Sequence, residues 1–156
     1  MAEYEDNLFI GKGGEFAVAS ELLFNKFNAN ILSVDSGVDI AAIKGGETFL
    51  FQVKTGYWNK RRQINVNLEK RKIKQLIENP NMFLIVVCKT KDLNTNEFLI
   101  FPIKKIEEFA NRQKIKKNRR GEDLVRLPFQ KTKNDITLNA CKSMNEFINA
   151  WDKIKI

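Results

Sequence analysis

The apolar positions change their period along the chain, and each change marks an element. From Glu15 to Phe27, EFAVASELLFNKF repeats at helical spacing, and on a wheel Phe16, Val18, Ala19, Leu22, Leu23 and Phe27 form one apolar arc. The Gly-rich GKGG at 11–14 opens this helix and Asn28 to Asn30 close it. Glu21 falls on the polar side, but Glu15 lies inside the arc. A carboxylate at the start of a core-facing stripe needs a reason, either the helix N-terminal dipole or a metal-site role.

Two alternating runs follow, VDIAAI at 38–43 and TFLFQVK at 48–54, joined through Lys44-Gly45-Gly46-Glu47. A Gly-Gly pair between such runs predicts a hairpin. With two central residues in the turn, opposed positions sum to 91, so Asp39 faces Gln52, and Lys54 shares the Gln52 face. Three polar groups then meet on an otherwise apolar sheet face.

Beyond the hairpin, GYWNKRRQINVN reads as a basic loop with a short strand at 63–67, and LEKRKIKQLIEN as an amphipathic helix with Ile73, Leu76 and Ile77 inward, stopped by Pro80. MFLIVVCK (82–89) is a strand buried on both faces, EFLIFPI a further strand, and IKKIEEFANR a short helix. KIKKNRRGEDLVRLP is the least ordered stretch, followed by an edge segment at Arg126 to Phe129. SMNEFINAWDKI predicts a closing helix with Ser143 and Glu146 as a capping box and Met144, Phe147, Ile148 and Trp151 inward. With no internal repeat or linker, residues 1–156 read as one α/β domain.

Composition narrows the chemistry. An apolar fraction of 43% with 29% charged residues over 156 positions is that of a globular protein, not of a collagen-like, disordered or disulfide-scaffold chain. The chain has no histidine, so His-dependent triads, HExxH metal sites and a His general base are excluded. Cys88 lies in an apolar run and Cys141 is isolated; both read as reduced packing residues rather than a redox pair or zinc ligands. No apolar run suffices for a membrane helix, and MAEYEDNLF is acidic where a signal peptide is basic and then apolar, which points to a cytoplasmic protein with no membrane partner.

The net charge of +8 is unevenly spread. Residues 1–53 hold 3 basic and 8 acidic side chains, residues 54–74 hold 8 and 1, and residues 104–133 hold 11 and 4. An acidic start followed by two basic windows suits a few working carboxylates beside a surface that attracts a polyanion. Solvated lysine-rich faces are the plainer alternative.

The order Glu on the first helix, Asp at the second strand and Q-x-K on the third resembles the PD-(D/E)XK nuclease superfamily. The resemblance is carried by GKGGE (11–15), SGVDIAAI (36–43) and FLFQVKTG (49–56), covers 11–89, and is nearest to the Holliday-junction resolvase and Mrr-like branches. The basic C-terminal extension, 104–156, has no counterpart in it. The resemblance implies a restriction-endonuclease-like fold, a mixed central β-sheet flanked by α-helices, and a metal-dependent endonuclease that hydrolyses DNA phosphodiester bonds. It also implies a Mg²⁺ or Mn²⁺ cofactor, DNA as partner with RNA not excluded, and a homodimer.

Hydrolysis of a phosphodiester needs a charge clamp on the phosphoryl oxygens and an activated in-line water, and Mg²⁺ takes oxygen ligands. The resemblance assigns Asp39 as principal ligand with the Val53 carbonyl and Gln52, Lys54 to the attacking water and the developing charge, and Glu15 to a water-mediated role. Gln52 stands where the superfamily has its namesake carboxylate; an amide oxygen ligates without contributing charge, which weakens metal affinity and argues against two-metal catalysis. The plainer readings are an Asp39–Gln52 cross-strand hydrogen bond and an edge-strand lysine at 54. Asp35 replaces Asp39 if the strand register slips. GKGG lacks the spacing of a phosphate loop.

Tyr57, Trp58, Lys60, Arg61 and Arg62 combine stacking faces with cations, and Lys114, Lys116, Lys117, Arg119 and Arg120 would extend a backbone-binding track. No helix-turn-helix, zinc-finger or RNA-recognition signature is present, so sequence-specific base reading is not expected. Two other classes compete: a catalytically inactive nucleic-acid-binding module that keeps the fold, and a protein-interaction domain. Salt-sensitive binding that survives Asp39→Ala marks the first, and an exposed apolar patch without nucleic-acid binding marks the second.

Overall fold

The computed structural model describes residues 2–34, 36–91 and 95–155, with the side chains of residues 2–5 excepted. Asp35 lies outside the described residues. The elements run α1 (Ala2–Phe24), β1 (Asn28–Ile31), β2 (Ile40–Lys44), β3 (Glu47–Tyr57), β4 (Gln63–Glu69), α2 (Lys70–Leu76), β5 (Met82–Thr90), β6 (Thr95–Pro102), α3 (Ile103–Ala110), β7 (Lys116–Lys117), β8 (Asp123–Lys131), β9 (Ile136–Leu138) and β10 (Lys142–Ser143). Two 3-10 turns close the chain.

Five strands form a mixed sheet in the order β1-β2-β3-β5-β6, in which only β3 and β5 are parallel. The second sheet runs β10-β9-β8-β4, with β7 paired to the start of β8. Alternation along β3 and β5 gives the mixed sheet two apolar faces. Phe49, Phe51, Val53, Phe83, Ile85 and Val87 pack with Val18, Ala19 and Leu22 of α1. Leu84, Val86, Cys88, Leu99 and Phe101 pack across to Ile64, Val66, Leu68, Val125, Leu127 and Phe129 of the second sheet, with α2 and α3 closing that layer. Among the described residues no helix is long and apolar enough to cross a membrane.

Several expectations change. GKGG does not open the first helix; it lies inside α1. A Cβ built on Gly14 would stand 1.7 Å from Thr55 Oγ1, so only glycine lets the helix lie directly on β3. Only part of the apolar arc is buried: Val18, Ala19 and Leu22 face the sheet, while Phe16 and Leu23 are exposed. The strand after the basic loop runs on to Glu69, which moves Leu68 and Glu69 from the predicted helix to β4.

The C-terminal third differs most. Residues 123–131 form β8, which pairs with β4 along Leu124–Gln130; over Arg126–Pro128 its other side carries no strand among the described residues, as an edge segment does, and β9 joins only from Phe129. Its Pro128 is tolerated just past Phe129, where the β9 pairing ends. The stretch read as least ordered is the β7–β8 hairpin, turned at Gly121 with φ 78.

The closing helix and its capping box do not form. Ser143 Oγ donates to Asp135 Oδ1 at 2.8 Å and Glu146 pairs with Lys153 at 3.0 Å. Asn149, with φ 49, instead adds to the β6 edge: its N–H donates to the Phe98 carbonyl at 2.7 Å and its Oδ1 accepts the Phe98 N–H at 3.0 Å. Met144 and Phe147 are buried as expected. Cys88 is buried, whereas Cys141 is exposed.

Candidate active site

The register of the hairpin decides where the polar groups fall. The pairs Ile40↔Phe51 through Lys44↔Glu47 all sum to 91, as the two-residue turn requires. Leu50 and Gly56 of β3 face the second sheet, Gly56 so closely that an added Cβ would lie 3.2 Å from Ile64. Gln52 and Lys54 alternate with them on this face. Gln52 is only 6% exposed, and Lys54 is half-buried.

Both line a cleft of about 80 Å³ with Asn67, Leu68 and Glu69 of β4 and Lys72 and Ile73 of α2. Among the described residues no hydrogen bond joins the Gln52 amide to another group and no ion pair holds Lys54; both polar groups open on the cleft. Nor, among the described residues, does a side-chain hydrogen bond join Asp39 to Gln52, the plainer alternative for this pair.

Asp39 sits where the β2 ladder stops. Its N–H donates to the Phe51 carbonyl at 2.8 Å, so Asp39 and Ile40 both face Phe51. This is the two-against-one arrangement of a β-bulge, and it corrects the expectation of direct opposition to Gln52. The bulge re-aims the side chain: Val53 N–H donates to Asp39 Oδ2 at 2.6 Å. Because the N–H and C=O of one strand residue point to the same side, the Val53 carbonyl is directed at this edge too. Beyond Phe51, β3 has no β2 partner, so a carboxylate and a carbonyl stand at an open edge next to Gln52.

Glu15 approaches from the other face. It follows Gly14 on the sheet-facing side of α1, and its side chain is 15% exposed and paired with Lys12 at 2.5 Å. The helix covers the Phe51 and Val53 face, opposite to Gln52 and Lys54, so Glu15 does not line their cleft. Beside it the Thr55 hydroxyl is buried without a hydrogen-bond partner.

A different carboxylate, Glu69, does line the cleft, 3.9 Å from Lys72. Sequence reasoning missed it because LEKRKIKQ satisfies a helical period. The signal that could have found it was the alternation Ile64, Val66, Leu68, which continues one residue past the predicted strand.

The cations fall into two groups at opposite ends of β4. Lys60, Arg61 and Arg62 are exposed on the Asn59–Arg62 turn. Tyr57 carries the Lys91 ammonium over its ring at 5.5 Å. Trp58 is half-buried, packs against the core, and its Nε1–H donates to Glu97 at 3.4 Å.

At the other end, Lys70, Arg71, Lys74 and Lys117 line a basin of about 570 Å³ with Glu69, Glu122 and Asp123. The Lys117 ammonium hydrogen-bonds Asp123 and holds its carboxyl below the usual range, with Lys70 and Lys74 adding to the effect. Lys114, Lys116, Arg119 and Arg120 are exposed nearby, on and beside β7. Glu69 belongs to both basin and cleft, so this second group adjoins the site.

No family model and no curated sequence matches the chain. Solved structures do. A bacterial homing endonuclease superposes with a TM-score of 0.56 at 16% identity, covering 93% of this chain and 88% of its own. The fold is restriction-endonuclease-like. A Holliday junction resolvase of Archaeoglobus fulgidus gives a TM-score of 0.46 at 17% identity over 74% of this chain and 82% of its own. The homing endonuclease match extends over nearly the whole chain, so the second sheet belongs to the similarity as well as the motif-bearing half.

Proposed function

We propose that the chain is a metal-dependent endonuclease acting on DNA phosphodiesters. The observation that carries this reading is the pair Gln52 and Lys54, without hydrogen-bond or ion-pair partners among the described residues, beside a carboxylate that a bulge anchors at the same edge. The Asp39 carboxylate, the Val53 carbonyl and the Gln52 amide make an all-oxygen donor set, which fits Mg²⁺ or Mn²⁺ and not a softer metal. Such an ion supplies Lewis-acid polarisation of the phosphoryl oxygens. Held through its Oδ2 by Val53 N–H, Asp39 is fixed in place before any ligand arrives.

Lys54 presents an ammonium at the cleft, where it stabilises the charge that develops on the phosphoryl oxygens and orients the attacking water. Glu69 flanks these groups from the cleft and orients the water, while Glu15, on the α1 face of β3, is left a water-mediated contact with an ion at the open edge beside Val53. Lys60, Arg61 and Arg62 hold the nucleic-acid backbone at one end of β4, and Lys114, Lys116, Arg119 and Arg120 hold it at the other. Those ends are about 20 Å apart, the length of roughly six base pairs.

The test is cleavage of duplex, supercoiled and branched DNA with Mg²⁺ or Mn²⁺, compared between the native chain and Asp39→Ala. Expected is cleavage by the native chain alone. A folded native protein that cuts none of these substrates refutes the reading, and salt-sensitive binding that persists in Asp39→Ala without cleavage by either protein identifies a non-catalytic module instead.

A further inference from the structure

The carboxylates of the basin beside the cleft stand where a bound anion would stand. Among the described residues four cations line it, Lys70, Arg71 and Lys74 from α2 and Lys117 from β7. The acids between them come mainly from the β7–β8 hairpin. Glu122 reaches Arg71 at 3.8 Å and accepts from Asn118 Nδ2 at 2.8 Å. Asp123 takes the Lys117 ammonium, and the charges of Lys70 and Lys74 act on it from α2. Three ammonium groups from two separate elements thus act on one carboxylate, which is how a protein surrounds a phosphate.

These pairs do little for the fold. The Arg71 side chain is 70% exposed and that of Lys117 66%, and ion pairs so open to water contribute little to stability. What they change is the charge that the basin shows to solvent, since with Glu69 three acids stand against four cations. A polyanion is held only when those acids give way. A backbone phosphodiester carries the same single charge on two oxygens as a carboxylate, so it can take over the same ammonium contacts, and the pairs it breaks are weak. Size and place fit as well. At about 570 Å³ the basin exceeds one phosphate and lies in the range that admits a nucleotide, ~300–1,000 Å³. Glu69 lines both basin and cleft, so a strand with one phosphate at Gln52 and Lys54 passes the basin next.

We propose that the basin is a phosphodiester subsite for the strand that enters the cleft, and that Asp123 and Glu122 occupy it as internal counter-anions until a backbone phosphate displaces them. The subsite rests on the reading of the cleft as a nucleic-acid site, and not on cleavage.

The experiment is fluorescence anisotropy of the full chain with a labelled duplex or branched DNA oligonucleotide, in EDTA so that no metal-dependent cleavage intervenes, over a series of salt concentrations. Asp123→Asn and Glu122→Gln should each tighten binding about three- to fivefold, the worth of one exposed ion pair. In a Lys117→Gln chain, Asp123→Asn should lose most of that gain, because the two residues act through each other. Glu146→Gln breaks the exposed pair with Lys153 outside the basin and should leave binding unchanged. Lys74→Gln should weaken binding and lower the slope of log affinity against log salt by ~1. All of these side chains are open to solvent, so circular dichroism and the unfolding midpoint should stay native. If Glu146→Gln tightens binding as much as Asp123→Asn, the effect is one of net charge and the proposal is overturned. It is overturned also if Lys74→Gln changes neither affinity nor slope, if the Asp123→Asn gain survives without Lys117, or if the native chain binds neither DNA. A chain that cuts DNA but fails these tests loses the subsite alone, and one that passes them but cuts nothing loses the nuclease reading alone.

Discussion

The two faces of β3 belong to the same strand and differ in everything else. On one, Phe49, Phe51 and Val53 lie in a continuous apolar layer against α1. On the other, Leu50 and Gly56 bracket Gln52 and Lys54 above a small cleft. Polar side chains at a cleft remove less apolar surface from water than the ring and aliphatic side chains of the other face. The first face therefore supplies stability, and the second supplies less of it. A fold does not need the second pair, which is why it reads as a site.

A crossed pair of substitutions breaks this comparison most strongly. Phe51→Ala removes a fully buried ring and should lower unfolding stability by about 3–5 kcal/mol, while the molecules that remain folded cut DNA at nearly the native rate. Lys54→Met keeps the length of the side chain and should leave stability within about 1 kcal/mol, while cleavage falls at least 10³-fold, about 4 kcal/mol in the barrier. Denaturant titration and single-turnover cleavage of the same preparations read both quantities. If Lys54→Met unfolds the chain or leaves cleavage intact, the division of labour between the faces is wrong.

Gly14→Ala tests how α1 meets the stable face. The new Cβ collides with the Thr55 hydroxyl, so overpacking should cost about 1–3 kcal/mol. Thr55→Ala in the same chain removes the closest atom and should recover part of that loss. Full additivity of the two would show that α1 can slide without touching β3.

Gln52→Leu sharpens the other side. It replaces an amide at the cleft by an apolar group of similar size and should leave stability within about 1 kcal/mol, while cleavage and its dependence on Mg²⁺ concentration both worsen. A variant that is equally active would remove Gln52 from the site.

The hairpin and the identity of Gln52 and Lys54 were legible because a Gly-Gly turn sets the register and period-2 alternation does the rest. β5 was legible for the same kind of reason, an unbroken apolar run between two covered faces. The bulge at Asp39 was not, since it depends on a carboxylate capturing the Val53 N–H fourteen residues away, and no local pattern encodes that. GKGG misled because glycine usually marks a helix end, whereas here it marks a contact with Thr55. The C-terminal third hid its second sheet: β7, β9 and β10 are two or three residues long, too short to show a period, and the closing helix lost its backbone groups to the β6 edge.

The smallest effect concerns how dry the second face is away from the cleft. Cys88 lies on that face in β5, and burial, with Glu97 opposite it adding, pushes its thiol well above the ordinary range. The folded chain thus holds the Cys88 proton more tightly than the unfolded chain does. This stabilisation is complete below the ordinary thiol value of about 8.5 and shrinks as the pH rises above it, because only the unfolded state then ionises. Stability should fall above that pH with a slope approaching ~1.4 kcal/mol per unit, and Cys88→Ala should lose that component of the slope. A thiol reagent at neutral pH should label Cys141 at once and Cys88 only at the rate of unfolding. Two fast thiols would mean that water reaches the face generally, and the cleft at Gln52 and Lys54 would no longer be distinguished from its surroundings.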